Sequence, residues 1–391
     1  MKVVFVTEAR FIKDINGNIY GDTSFNKDLW NRYLTFFSHV YIMARVEKNE
    51  KFIGKESNLS STEKVTFIEL PYFIGPIQYL KVKKKLISVI RENIETLEAK
   101  YLCRIPGNIS NLVIKNLIHK NIPYGVEVVG DPWDVFAPGT IKHPLRSYFR
   151  WKGFFDLKYN VKNAATVLFV TKETLQKRYP INKNAFQINS SDVRIKDNLI
   201  VEKSKEHSIK EEYKLISIGS LEQMYKAPDI VLKSIKKLNE NNINCKLIWL
   251  GDGVFRKQME SLCKELNISH KVEFKGNVSA EDVRKYLDES DIFVLASRTE
   301  GLPRAIIEAM SLGLPCVGTS VGGIPELLDK EALVPKNNEI ALFDKIKKLI
   351  NDPTFYNEQA KINLTNAHLY KESVLIEKRN QFYSFLSKLE K

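Results

Sequence analysis

Cysteine is scarce in this chain of 391 residues, and its four copies lie far apart in the sequence. Cys103, Cys245, Cys263 and Cys316 form no C-x-x-C pair and have no histidine at metal-ligand spacing, which excludes a disulfide framework and a zinc site of the common types. Long apolar runs are also missing, since no segment approaches the roughly 20 residues that a membrane-spanning helix needs. The apolar run at the N-terminus meets Glu8 too early for a signal peptide. These absences predict a reduced, cytoplasmic chain.

Acidic residues are in short supply in only one half of the chain. Residues 1–195 contain 30 lysines and arginines against 18 aspartates and glutamates, whereas residues 196–391 contain 30 against 29. Nearly all of the net charge of +13 therefore lies in the first half. Such a local excess predicts an acidic partner, and nucleic acid and an anionic membrane surface are both candidates. No nucleic-acid-binding module is recognisable in the sequence, which argues against the first candidate.

The length of the chain suggests two domains, and apolar runs typical of buried strands alternate with amphipathic segments in each half. The predicted strands cover residues 3–7, 40–44, 65–70, 124–129, 166–170, 214–218, 246–250, 271–274, 292–295 and 315–318. This pattern predicts two parallel α/β domains, residues 1–195 and residues 213–368, joined by a polar linker at residues 196–212. A cleft between two such domains is the natural place for a ligand.

The most informative stretch reads SRTEGLPRAIIEAM and follows a predicted buried strand. Pro303 suits the first position of a helix, so Glu300 is expected on the preceding loop and Glu308 inside the helix. Backbone N–H groups after Gly301 would suit a diphosphate at such a helix start. The helical carboxylate can accept from a ribose hydroxyl pair, and the loop carboxylate from sugar hydroxyls. Two isolated glutamates at this spacing are more typical of a surface loop and helix, but the Gly-Leu-Pro context favours the binding interpretation.

This stretch resembles the signature of retaining family 4 glycosyltransferases of the GT-B fold. Four further segments match the pattern of that family in order, namely LIWLGDG at 247–253, VEFKGNV at 272–278, DIFVLAS at 291–297 and GGIPE at 322–326. The resemblance implies two Rossmann-like, doubly wound parallel-sheet domains that face a central cleft. It also implies that the second domain binds a nucleotide-diphosphate sugar, and that a hexosyl group is transferred with retention of configuration.

The segment IGSLEQMYKAPD ends a predicted strand at Gly219 and places Lys226 at the start of the next helix, facing the cleft. A lysine there can stabilise a departing diphosphate, although by itself Lys226 would more often be a solvated surface residue. Members of the family usually carry an arginine just after the glycine. Here that position is Ser220, so neutralisation of the phosphates shifts to Lys226, with Arg298 or Arg304 as substitutes.

The resemblance implies a full set of donor-binding residues in the second half. The set is Gly219, Ser220, Lys226, Gly251, Asp252, Gly276, Asn277, Arg298, Glu300, Gly301, Leu302, Arg304 and Glu308. Within it, Glu300 and Lys226 are the candidate catalytic residues. Without the family context, Gly251 and Asp252 would be more typical of a tight turn.

In the first half, the segment YGVEVVGDPWD ends a predicted strand at the cleft. Many family members carry a His-Asp pair there, whereas this chain has Gly130 before Asp131. Asp131 is a candidate catalytic residue acting on the acceptor, although a capping or turn aspartate is at least as common at such a place. Gly17 is the candidate for close backbone approach on the acceptor side, or it makes a turn. The resemblance further implies that the C-terminal helical segment, residues 369–391, packs back on the first domain.

No D-x-D triplet occurs in the sequence, which predicts catalysis without a metal and without any cofactor other than the donor. A UDP-sugar is the preferred donor because it is the commonest in the family, and the implied acceptor is lipid-linked or a saccharide in cell-surface polysaccharide synthesis. Two alternatives remain on the same frame. They are a nucleotide-sugar epimerase or hydrolase, which product analysis would reveal, and a non-catalytic nucleotide-sugar-binding protein, which turnover would exclude.

Two clusters in the first half combine basic residues with large apolar ones, YFIGPIQYLKVKKK at 72–85 and RSYFRWKGFF at 146–155. Each could lie in a membrane interface, with rings among the headgroups and cations on anionic lipid. For either cluster alone, a buried aromatic core beside a solvated helix face is the more common arrangement. Together with the charge asymmetry, the two clusters favour peripheral binding at the inner face of the membrane.

Overall fold

The computed structural model describes residues 1–22, 24–138, 143–193 and 195–390. It contains two α/β units, each built around one predominantly parallel sheet. The last residue of the predicted C-terminal segment, Lys391, lies outside the described residues, as do the few first-domain residues between these ranges.

The first unit is wound around a sheet with the strand order β4-β3-β1-β5-β6-β7-β8, and a short β2 adds antiparallel to β1. Its strands are β1 (Lys2–Lys13), β2 (Ile19–Tyr20), β3 (His39–Lys48), β4 (Val65–Leu70), β5 (Lys100–Ile105), β6 (Tyr124–Val128), β7 (Thr166–Phe169) and β8 (Phe186–Asn189). Its helices are α1 (Lys27–Leu34), α2 (Gly75–Thr96), α3 (Asn108–His119), α4 (Pro132–Val135), α5 (Arg146–Asn163) and α6 (Thr174–Arg178).

The second unit is wound around a sheet with the strand order β11-β10-β9-β12-β13-β14. Its strands are β9 (Tyr213–Ile218), β10 (Cys245–Leu250), β11 (Val272–Gly276), β12 (Ile292–Leu295), β13 (Cys316–Thr319) and β14 (Leu333–Val334). Its helices are α7 (Pro228–Glu240), α8 (Arg256–Glu265), α9 (Ala280–Asp288), α10 (Arg304–Ser311), α11 (Glu339–Asn351) and α12 (Pro353–Ala367), and α13 (Glu372–Lys388) follows them.

Both sheets are buried on both faces, as parallel sheets require. The four side chains of β12 are at most 1% exposed, and separate apolar clusters cover the two faces of each sheet. This explains why the central strands read as continuous apolar runs instead of alternating ones. The architecture confirms the predicted fold class.

Each sheet has a point where the winding direction reverses, between β1 and β5 in the first unit and between β9 and β12 in the second. Doubly wound sheets bind ligands at the carboxyl ends of the strands next to this switch point. The two switch points are therefore the first places to look for a site.

The C-terminal helix α13 packs on β7 and β8 of the first unit. Phe382, Tyr383 and Leu386 join an apolar cluster of that unit, and Arg379 pairs with Asp192 at 2.9 Å. The chain thus crosses between the units twice, once near residue 195 and again before α13.

The segment predicted as a linker, residues 196–212, lies along the second unit. The backbone N–H groups of Val201 and Lys205 donate to the carbonyls of Ser311 and Gly313, each at 3.0 Å. Within the described ranges, no helix combines the length and the apolar character that crossing a membrane requires.

Candidate active site between the two units

Loops from four adjacent strands meet at the carboxyl edge of the second sheet. Gly219 follows β9, Gly251 follows β10, Asn277 follows β11 and Glu300 follows β12. Since β9 and β12 flank the switch point, the loops that carry Gly219 and Glu300 are neighbours. The structure thereby brings the core of the predicted donor set to one place.

Lys226 and Glu300 form an ion pair at this place, with 2.6 Å between Nζ and Oε1. The hydroxyl of Ser297 donates to the same carboxylate oxygen, also at 2.6 Å. The side chains of Lys226 and Glu300 are only 11% and 8% exposed. Water therefore screens this pair much less than it screens a salt bridge on the surface. The interaction fixes the positions of both charged groups.

Two glycines make the approach of these loops possible. The aliphatic stem of Lys226 crosses directly over Gly219, where a Cβ would come within 2.7 Å of Lys226 Cγ. Gly251 has φ +127°, and a Cβ there would overlap the carbonyl oxygen of Gly219. Larger residues at either position would push the loops apart.

The turn that carries Lys226 is held from the β12 loop. The backbone N–H of Arg298 donates to the Tyr225 carbonyl at 2.7 Å, and its guanidinium donates to the Met224 carbonyl at 2.6 Å. The same guanidinium donates hydrogen bonds to both carboxylate oxygens of Asp229, in the first turn of α7, at 3.0 and 2.7 Å. A further bond from Nε reaches Asn337.

These contacts correct the prediction that Arg298 binds the diphosphate. Four of the five guanidinium N–H groups donate to protein atoms, so Arg298 mainly supports the Lys226 turn and has a single N–H left for a ligand. Of the two predicted substitutes for the missing family arginine, Arg304 is the more available, since it is exposed at the start of α10.

Helix α10 begins at Arg304, directly after Pro303, and no side chain caps its first turn. One turn further along, Glu308 is partly buried, and burial raises the pKa of its carboxyl while Arg304 opposes that rise. Among the described residues no hydrogen bond reaches the Glu308 carboxylate. Within this part of the chain, it is a desolvated acceptor without a donor.

The loops that follow β9, β10 and β11 are held by hydrogen bonds and ion pairs among the residues of the second unit. The hydroxyl of Ser220 accepts from the Glu222 N–H at 3.2 Å, and the Asp252 carboxylate accepts from the Gly253 N–H at 2.9 Å and pairs with Arg256 at 3.3 Å. Asn277 is exposed, whereas Gly276 is buried. These residues form a rim around the Lys226–Glu300 pair, and their predicted contacts with a nucleotide stay predictions.

Comparison with known proteins identifies the family. Residues 200–365 match the model of "Glycosyl transferases group 1". Protein CapJ of Staphylococcus aureus is 30% identical over 392 residues, which cover 98% of this chain and 96% of CapJ. The chain is a group 1 glycosyltransferase. The putative colanic acid biosynthesis glycosyltransferase WcaL of Escherichia coli is 30% identical over 141 residues, about 34% of either chain.

The solved structure of Anabaena HepE in complex with UDP and glucose has the same fold. It superposes on this glycosyltransferase with a TM-score of 0.66 over the full length of both chains, at 15% sequence identity.

In the first unit of the glycosyltransferase, the structure corrects the interpretation of Asp131. This residue is 4% exposed and caps helix α4 by accepting from the Trp133 N–H at 2.9 Å. It also pairs with Arg178 and accepts from the Tyr179 hydroxyl at 2.6 Å. Because the carboxylate is enclosed by these partners, Asp131 has no free oxygen for an acceptor.

Gly17 is likewise placed outside the site. It has φ +85° in the turn that joins β1 to β2, and the Gly17 N–H donates to the Asp14 carbonyl at 3.2 Å. A Cβ there would approach only Lys13, at 4.0 Å. Gly17 therefore makes a hairpin turn, which was the alternative to close backbone approach on the acceptor side.

The sequence interpretation missed the contacts that bring the two units together beside the Lys226–Glu300 pair. A Cβ on Gly301 would lie 3.2 Å from the Val129 carbonyl oxygen of the first unit, and Leu302 packs against apolar clusters of both units. The Glu326 carboxylate accepts from the Thr174 N–H at 2.6 Å. Glu326 ends the segment GGIPE, and the match of this segment to the family was the only signal that the residue matters. Nothing in the sequence indicates that Glu326 contacts Thr174.

Among the described residues, no group of three or more His, Cys, Asp and Glu side chains is arranged to hold a metal ion. Whether catalysis needs a metal stays a prediction.

Proposed function

We propose that this glycosyltransferase moves a hexosyl group, with retention, from a UDP-sugar to a lipid-linked or saccharide acceptor in cell-surface polysaccharide synthesis. The observation that carries the proposal is the Lys226–Glu300 pair at the second switch point. It supplies a cation for a leaving diphosphate and an acceptor for sugar hydroxyls within one small space.

The diphosphate would lie between Lys226 and the start of α10. The ammonium of Lys226 has three N–H groups and gives one to Glu300, so it can donate to a phosphate oxygen without releasing the carboxylate. The uncapped N–H groups at the start of α10 would face the second phosphate. As the bond to the sugar breaks, negative charge grows on the diphosphate, where Lys226 and the helix dipole stabilise it.

Glu308 would accept from the two ribose hydroxyls, which fits a desolvated carboxylate with a raised pKa and no protein donor among the described residues. Glu300 would accept from the hydroxyls of the transferred sugar, with Ser297 and Lys226 fixing its orientation. The UDP of HepE and the colanic acid role in the WcaL name support the choice of nucleotide and of polysaccharide synthesis.

The acceptor would reach the cleft from the first unit, docked at an anionic membrane surface. Side chains of both clusters are exposed, among them Ile77 on α2 and Trp151 on α5. The lysines of residues 81–85 lie beside them on α2, in the arrangement of an interfacial anchor.

A screen of nucleotide sugars for thermal stabilisation tests the donor, because a ligand that binds only the folded state raises its stability by mass action. UDP-sugars should raise Tm more than GDP- or ADP-sugars. Product analysis by NMR should then show the donor's anomeric configuration kept in a new glycoside. An epimerised or hydrolysed nucleotide sugar as the main product would contradict the proposal.

The membrane part is tested separately by co-sedimentation with vesicles of phosphatidylcholine and phosphatidylglycerol. Binding at low salt should weaken at high salt and when Lys81, Lys83, Lys84 and Lys85 are changed to glutamate, because each basic residue near the surface contributes about 1 kcal/mol. Undiminished binding by this variant would count against the surface.

A further inference from the structure

A large cavity lies in the first unit, between α2, α3 and α5, outside the Lys226–Glu300 site. Its volume is about 1540 Å³, above the roughly 300–1,000 Å³ of pockets that hold drug-sized molecules. Both basic–apolar clusters contribute to its wall. The cavity therefore joins two sequence features that the donor chemistry leaves unused.

The wall of the cavity is mainly apolar and partly open to solvent. Phe73 is buried at its inner side, whereas Leu80, Tyr148, Phe155 and Tyr159 line it and remain more than half exposed. Contiguous exposed apolar surface of this kind is uncommon on soluble proteins unless something covers it. An apolar ligand would bury these side chains.

Cations outnumber carboxylates around this wall. Among the described residues that line the cavity, six are basic, Arg45, Lys83, Lys115, Lys152, Lys158 and Lys162, and two are acidic, Glu8 and Asp156. Lys152 pairs with Asp156, whereas Lys83, Lys115, Lys158 and Lys162 form no ion pair within the described part of the chain. The charge complements an anionic group attached to the apolar ligand.

One end of the cavity reaches the first switch point. Glu8 of β1 and Gly107, just after β5, both line it. Arg45 donates to the Phe73 carbonyl at 3.0 Å and to the Glu8 carbonyl, and it lies 3.4 Å from the Glu8 carboxylate, but its buried Nε has no hydrogen-bond partner among the described residues. The carboxyl edge of the same sheet meets the second unit at Val129 and Gly301. The polar end of the cavity thus lies on the edge that faces the donor site.

We propose that this cavity binds the hydrocarbon chain of a phosphate-bearing lipid acceptor, with its phosphate among the cations near Arg45 and its glycan end directed to the cleft. The inference rests on the proposed function, because it gives the lipid part of the acceptor a site of its own. It differs from membrane docking, since a single lipid molecule in water should bind without a bilayer.

The probe is farnesyl monophosphate, kept below its aggregation concentration and titrated by calorimetry. Two residues of α2 provide a matched pair. Leu80 lines the cavity and is 67% exposed, whereas Ile77 is 73% exposed but does not line it. Leu80→Asp should weaken binding of the probe about 10-fold or more, because it places a carboxylate against the hydrocarbon chain. Ile77→Asp should change it less than about 3-fold.

A second pair on α5 covers the case in which a variant at Leu80 fails to fold. Phe155→Asp should weaken binding of the probe clearly more than Trp151→Asp, at a residue that is similarly exposed and stacks on Phe155 but is not itself part of the wall. Retained UDP binding serves as the folding check for every variant. Farnesol and inorganic phosphate alone should each bind more weakly than farnesyl monophosphate.

Three results would overturn the proposal. They are no binding of the monomeric probe by the wild type, equal losses within both pairs of variants, and equal affinity for farnesol and farnesyl monophosphate. The first two would leave only a docking surface for a bilayer or a protein. Failure of the proposed function looks different, because the probe would bind normally while no nucleotide sugar raises Tm.

Discussion

At the switch point of each sheet, a glutamate lies beside a cation. In the second unit, Glu300 pairs with Lys226 at 2.6 Å, and its described partners are side chains on loops. In the first unit, Glu8 lies 3.4 Å from Arg45, but it also accepts from the backbone N–H of Ile109 at the start of α3. Lys226, which holds Glu300, has further N–H groups for a ligand. The backbone amide that holds Glu8 has none and is part of the scaffold.

The difference indicates how one architecture serves two tasks. On the proposed function, the second unit presents a cation that can bind a further partner, as a reaction that develops charge requires. The first unit presents an apolar cavity with a polar end at its own switch point. Variants that remove charge at the two switch points should therefore lower kcat strongly in the second unit and weakly in the first.

The largest effect is expected for Lys226→Met. Loss of the cation that faces the leaving diphosphate should lower kcat by about 10²- to 10³-fold, the usual cost of removing such a group. Turnover at saturating UDP-sugar measures it, and Lys236→Met, at a surface lysine of α7 that pairs with Glu240, is the control. Near-normal turnover would mean that Arg304 carries the charge, and would remove the contrast between the units.

Glu300→Gln should come next, with a loss of about 10- to 100-fold in turnover, as expected for a hydrogen bond to a charged group. Affinity for UDP alone should stay within about 3-fold of the wild type, because the proposed partner is the sugar. Calorimetry with UDP, set beside kcat, separates the two quantities. An equal loss of UDP binding would assign Glu300 to the nucleotide.

Glu308→Ala should weaken donor binding by about 1 to 3 kcal/mol without unfolding the protein. If calorimetry shows unchanged affinity for the donor, Glu308 does not bind the ribose hydroxyls.

Glu308→Gln should also raise Tm at neutral pH. The folded protein raises the pKa of Glu308 above its usual value of 4.5, so the native state binds the proton more tightly than the unfolded state does. Stability contributed by this group is fully present below about pH 4.5 and is lost as pH rises through the higher folded pKa. Glutamine removes that loss, and a Tm that does not exceed the wild-type value at pH 7 would contradict the account.

Asp131→Asn tests the first unit and should change kcat less than about 3-fold, because the carboxylate is enclosed by protein partners. Its cost should appear in stability, roughly 1 to 3 kcal/mol, since Arg178 and Tyr179 lose a charged partner. Urea unfolding and steady-state rates measure both. A large loss in kcat with normal stability would return Asp131 to the active site.

The smallest effect is expected from EDTA, which should leave turnover unchanged, since the sequence has no D-x-D triplet. Loss of activity that Mg²⁺ restores would overturn this prediction.

The sequence predicted parallel α/β winding in both halves, but it missed β5 and β8 in the first unit and β14 in the second. It placed Lys226, Glu300 and Glu308 on segments that follow strands, because local motifs follow strand ends whose edge is set by topology. It did not predict the partners of Arg298 and Asp131. Both residues are paired with groups that are distant in the sequence, 69 residues away in Asp229 and 47 in Arg178. From a motif alone, a charged residue looks available for a ligand even when a partner that is distant in the sequence occupies it in the fold.

The cavity escaped prediction for a related reason. The sequence showed the two basic–apolar clusters, but neither cluster indicates that α2, α3 and α5 surround one cavity. Of the two roles predicted for Gly17, the structure shows the turn, since β1 continues into an antiparallel hairpin before the first helix.

The Glu326 carboxylate has a consequence for the motion of the molecule. It accepts from the N–H groups of Glu173 and Thr174 at 3.1 and 2.6 Å and so supplies, from the second unit, the cap for the first turn of α6 in the first unit. When the units separate, those amides lose their acceptor and α6 loses its cap. The protection of the amide protons of residues 173 and 174 against hydrogen exchange should therefore fall when the two units separate. Their hydrogen-exchange rate reports how often the cleft is open to admit or release a substrate.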